Sequence, residues 1–201
     1  MRWLIVFVAG VLLGWFLPKG SIKPMDLDIG YAQSMLVHHQ QALVMASLVR
    51  TSASPPVQAL AQRIIQAQTL EMENLKGWLA GQHAPALPAD GDLMGWMKRQ
   101  RALLNVNESL YLARCESSPM GMAGMVDDNQ IKRISNPSLD VALREQAFLD
   151  AMIEHHAGAV SMSTLPSRAA ATPFIRNMAH HVIQTQSREI LQMQQSLKRR
   201  P

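Results

Sequence analysis

From residue 27 onward, apolar positions recur every three or four residues, the period of an α-helix advancing about 100° per residue. Tyr31, Met35, His38, His39, Ala42, Met45, Ala46 and Val49 fall on one stripe roughly 120° wide. Phe148, Met152, His155, His156, Ala159 and Met162 form a second stripe of the same kind. The punctuation agrees with helices. Ser54-Pro55 and Thr172-Pro173 read as N-caps followed by proline at the first helical position. Gly81 can end one helix and Pro166 another. The pattern predicts helices over 27–51, 55–80, 138–165 and 173–198, and no convincing strand.

The two stripes belong to a longer repeat. At an offset of 117 residues, Tyr31 matches Phe148, Met35 matches Met152, both histidine pairs match, and Ala42 and Met45 match Ala159 and Met162. After one extra loop residue the offset is 118, and Ala61, Ile65, Gln66, Gln68 and Glu71 match Ala179, Ile183, Gln184, Gln186 and Glu189. The repeated unit is a helix hairpin, with copies at residues 28–80 and 145–198. Two hairpins with polar groups on their inner faces predict an all-α fold, a four-helix bundle holding sites in its core.

Each stripe sets two imidazoles between two thioethers. Buried polar rings are costly unless something satisfies them, and thioether with imidazole is a donor set suited to copper, sulfur favouring Cu(I). The candidate ligands are therefore His38, His39, His155 and His156, with Met35, Met45, Met152 and Met162. Core packing is the competing reading for each methionine. The competing reading for the histidines is a hydrogen bond to Gln68, Glu71, Gln186 or Glu189, which also suits Glu71 and Glu189 as groups orienting metal-bound imidazoles. Zinc is less suited, with Cys115 the one cysteine. The Glu-x-x-His spacing of di-iron bundles is absent around His38 and His155. His180-His181 has no methionine frame and faces Gln62-Arg63 in the other copy, so it reads as a surface pair; His83 reads as a loop residue.

Between the copies, residues 81–144 form a linker. Residues 81–92, with Pro85, Pro88 and Gly91, read as loop, and residues 93–116 read as a helix packed across the bundle. The glycine-interrupted tract holding Met120, Met122 and Met125 reads as a flexible loop, offering either soft ligands for Cu(I) or adaptable packing.

At these residues the chain resembles the DUF305 family. The first copy carries Asp28-Ile29-x-Tyr31-Ala32-Gln33-x-Met35-Leu36-x-His38-His39-x-Gln41-Ala42. The second carries Phe148-Leu149-x-x-Met152-Ile153-x-His155-His156-x-Gly158-Ala159, and both closing helices carry Gln-x-x-Glu. Trp78 matches the family's closing tryptophan in the first copy, where the second has Ser196. Asp150 matches an aspartate often found before the histidine pair, where the first copy has Gln33. The resemblance implies a ferritin-like helical fold and copper binding of the kind found in periplasmic copper-resistance proteins.

The formal charge of +4 is modest, and basic positions interleaved with aromatics are absent, which argues against a nucleic-acid partner. Cys115 alone permits no intrachain disulfide. Residues 3–17 carry no charge. Their length suits a signal-peptide core, whereas the flanking Trp3 and Trp15 and the missing Ala-x-Ala pattern favour an uncleaved N-terminal hydrophobic helix. Residues 1–20 are read as a membrane anchor, with a secretory signal as the alternative, and 21–201 as an extracytoplasmic body. The expectation is an exported, non-enzymatic protein that sequesters or passes copper. A metal-dependent oxidase and a metal-free interaction module are the alternatives.

Overall fold

The computed structural model describes residues 26–198. Within them the chain forms α1 (Asp26–Val49), α2 (Pro55–Gly81), α3 (Gly95–Arg99), a 3₁₀ turn (Arg101–Leu103), α4 (Val106–Ser117), α5 (Asp128–Ser135), α6 (Val141–Ala169) and α7 (Pro173–Lys198), with no strand among the described residues. The expected N-terminal hydrophobic helix lies outside them. No described helix is long and apolar enough to cross a membrane.

The four long helices are paired as the repeat requires. α1 packs on α2, α6 packs on α7, and the hairpins meet through α1 and α6. These two run antiparallel: Tyr31 meets Ser163, His38 meets His155, and Met45 shares an apolar cluster with Phe148. Since His38 and His155 occupy equivalent positions in the repeat, an approximate twofold axis relating the copies passes between their rings. Asp28 ties the halves at one end. Its carboxylate accepts from the Thr172 backbone N–H at 2.8 Å, the Thr172 hydroxyl at 2.7 Å and the Ala171 N–H at 3.1 Å. The backbone donors just before α7 are thus satisfied from α1.

Three expectations need correction. Pro166 does not end α6, which runs on to Ala169. A proline lacks one donor, and the next turn closes through the Ala170 N–H to the Pro166 carbonyl at 3.1 Å. Residues 93–116 are not one helix. Asn105 starts a new one through a capping box, accepting from the Glu108 N–H while Glu108 reaches back to the Asn105 N–H. The linker also contains α5, which opens on the same device between Asp127 and Gln130 and buries Ile134.

Trp96 of α3 plugs the Asp28 end of the bundle. It lies so close to Gly30 that a Cβ there would sit 2.3 Å from the indole's own Cβ. Its ring N–H donates to Ser34 at 3.0 Å, and the indole and the Tyr31 ring meet in a T-shaped contact with centroids 6.1 Å apart.

Candidate metal centre

The helical stripes turn inward, and all four histidines of the two pairs are fully buried. His38 and His155 lie ring against ring, with centroids 3.7 Å apart and planes inclined by 38°. Their neighbours point to the closing helices, as an angular step of about 100° requires. His39 Nε2 lies 2.5 Å from Glu71 Oε2 on α2, and His156 Nε2 lies 2.7 Å from Glu189 Oε2 on α7. A carboxylate can only accept. Each pair therefore has a proton on Nε2, and a neutral ring held this way keeps its lone pair on Nδ1, the orientation that a carboxylate gives a metal-binding imidazole.

Both ring nitrogens of His38 and His155, and Nδ1 of His39 and His156, make no hydrogen bond. The amide groups of Gln68 and Gln186, one turn before the glutamates, are likewise unpaired and buried. Unpaired polar atoms in an interior each cost about 1–3 kcal/mol. Burial, reinforced by the neighbouring imidazoles, pushes the pKa values of His38 and His155 well below the ordinary histidine range. Both rings are held neutral, the form that binds metal.

The methionines close this layer from both sides. Met35 and Met162 lie in the apolar cluster toward Tyr31; Met45 and Met152 lie in the cluster toward Phe148, and all four are fully buried. Each pair takes one residue from α1 and one from α6. Among the described residues, no three His, Cys, Asp or Glu side chains converge into a cage. Six imidazole nitrogens without a hydrogen bond thus lie in the core, with one methionine pair in the apolar cluster on each side.

The methionine loop divides. Met122 is buried in the same cluster as Met35 and Met162, Met125 packs against that cluster, and Met120 is 37% exposed. Cys115 is buried, accepts from the Ala123 N–H at 3.3 Å, and its thiol pKa is raised by burial. The loop is held at two positions that the repeat makes equivalent. Gln41 on α1 grips Val126 by both backbone groups, at 2.9 and 2.8 Å. Gly158 on α6 lets the loop backbone approach so closely that a Cβ would sit 2.3 Å from the Ala123 carbonyl oxygen.

Gln33 is buried and donates to the Pro85 carbonyl at 2.9 Å, while Asp150 is exposed. Trp78 stacks on Phe174 with planes 5° apart and centroids 5.8 Å apart. His180 and His181 are exposed, as expected of a surface pair. His181 nevertheless reaches the centre's rim: its Nε2 lies 3.2 Å from Glu71 Oε1. The available signal was Met178, three residues earlier on the same helical face.

Residues 28–197 match the family described as domain of unknown function, DUF305, and the chain belongs to it. Two crystal structures of that family share the fold. One is a DUF305 protein from Streptomyces coelicolor, provisionally described as secreted: TM-score 0.68, 30% identity, covering 83% of this chain and 89% of that one. The other is a DUF305 fragment from Deinococcus radiodurans: TM-score 0.65, 25% identity, 88% and 99% covered. The copper-binding protein CopM in its Cu(I)-bound form is also similar, with TM-score 0.60, 22% identity and coverage of 85% and 95%. No curated protein matches the chain.

Proposed function

We propose that this protein binds copper in the layer formed by His38, His39, His155 and His156, with Met35, Met45, Met152 and Met162 above and below it. The observation that carries this reading is the convergence of both histidine pairs on one buried layer, with six ring nitrogens unpartnered between thioethers. Imidazole and thioether together suit both copper oxidation states, thioether favouring Cu(I). CopM, a similar fold, is known in Cu(I)-bound and Cu(II)-bound forms, which supports the same reading.

In this reading the ion is cargo, sequestered or passed on without turnover, in a ferritin-like four-helix arrangement that lacks a di-iron carboxylate set. Glu71 and Glu189 hold the outer imidazoles in the ligating tautomer. The body acts outside the cytoplasm, delivered by the uncharged segment 3–17, with retention at the membrane as the finer expectation. Met122 and Met125 extend the sulfur-rich wall toward the linker.

The test replaces His38, His39, His155 and His156 with alanine. Copper bound per chain should fall to near zero by elemental analysis while the circular dichroism stays helical. Unchanged copper content would overturn the proposal. Replacing Met35, Met45, Met152 and Met162 with leucine conserves volume and should lower Cu(I) affinity more than Cu(II) affinity.

A further inference from the structure

Between α2 and α7 lies an open groove of about 450 Å³ whose lining includes Glu71, Asn74, Met178, Asn177 and His181. His181 is 58% exposed and Glu71 only 5% by side chain. The Glu71 carboxylate thus joins a solvent-facing imidazole to a buried one, with Oε1 toward His181 at 3.2 Å and Oε2 toward His39 at 2.5 Å. Met178 and His181 are three residues apart on α7 and share the groove, so an exposed imidazole stands at its mouth above a nearly buried thioether and carboxylate in its wall.

The repeat supplies an internal control. On the opposite face of the bundle, Glu189 stands where Glu71 does, but Leu60 replaces Met178, Arg63 replaces His181 and Gln192 replaces Asn74. A guanidinium stays protonated and donates only; it repels a cation and cannot ligate one. The core is nearly symmetric, and the approach to it is not.

We propose that the α2–α7 groove is the port through which copper reaches the buried layer, captured first by Met178 and His181 and handed inward past Glu71. The inference rests on copper being the cargo of the core. The transfer is an exchange of ligands with no change in oxidation state. His181 gives up its contact with Glu71 on taking the ion and recovers it when the ion moves on to the core imidazoles and thioethers. A shallow site of two or three donors suits this role, because a port must release what it captures.

The test follows loading of the full chain from the Cu(I)–bicinchoninate complex by stopped-flow absorbance, with the final copper content read separately. The Met178→Leu/His181→Ala variant should reach the wild-type content but load at least about ten-fold more slowly, equivalent to about 1.4 kcal/mol in the barrier. Arg63→Ala on the opposite face should load at the wild-type rate. Unchanged loading in the double variant would overturn the port and leave the core site standing. Equal slowing by Arg63→Ala would overturn its one-sidedness. A wild-type chain that takes up no copper would remove the core reading, and the port with it.

Discussion

The Tyr31 hydroxyl donates to the Ser163 hydroxyl at 2.8 Å, and Ser163 in turn donates to the Ala159 carbonyl at 2.8 Å. At the equivalent places in the other half stand Phe148 and Ala46, which share an apolar cluster. The same junction between hairpins is thus built once with a hydrogen bond and once without. Burial raises the Tyr31 pKa above the ordinary phenol range, so the hydroxyl remains a donor.

This pair predicts a non-additive double-mutant cycle. Tyr31→Phe should cost about 1 kcal/mol, because Ser163 keeps its backbone acceptor. Ser163→Ala should cost about 1–3 kcal/mol, because it strands a buried phenol. The double variant reproduces the Phe148/Ala46 arrangement and should be more stable than the sum of the single effects implies. Denaturant unfolding of the four proteins checks this, and strict additivity would refute it.

Metal-free protein should lose stability in mild acid. His38 and His155 have pKa values lowered in the folded state. Above about pH 6.5 both folded and unfolded chains hold them neutral, and they contribute no pH dependence. As pH falls through that value the unfolded chain takes up protons that the folded chain refuses. Each such histidine then costs about 1.4 kcal/mol per pH unit, down to its folded-state pKa. Thermal unfolding between roughly pH 7 and 5 should show a weaker slope in the His38→Gln variant than in wild type; equal slopes would contradict the assignment.

Two glycine substitutions should have opposite signs. In Gly158→Ala the new methyl meets the Ala123 carbonyl. Overpacking of that kind costs about 1–3 kcal/mol, against about 1 kcal/mol gained in helix propensity. The melting temperature should fall, and limited proteolysis should find residues 118–127 more accessible. Gly77→Ala on α2 meets nothing within 4 Å and should raise stability by up to about 1 kcal/mol. A stabilised Gly158→Ala protein would show that the loop contact is easily shifted.

The long helices and the inward faces of the histidine stripes were legible because a period of 3.6 residues is a property of the chain itself. The contact between His38 and His155 was not, since the spacing along one helix does not say how it meets another. The linker misled for a different reason. Leu93, Met97, Leu103 and Leu104 suit a helix, but Asn105-x-x-Glu108 and Asp127-x-x-Gln130 are helix starts that outweigh that periodicity. Pro166 carried a stop signal that takes effect only one turn later. His181 was read from its own surroundings on α7, whereas its partner Glu71 lies on α2.

The packing of His38 against His155 also bears on how the molecule is made. The ring that covers His38 is 117 residues further along, and the N–H groups that Asp28 accepts from are further still. At translation rates of roughly 5–20 residues per second, the first hairpin waits on the order of ten seconds for its mate. Throughout that interval its Met35–His38–His39–Met45 stripe has no opposite wall. The chain is born with half of its polar core layer uncovered, and the completed core forms only when the second hairpin arrives.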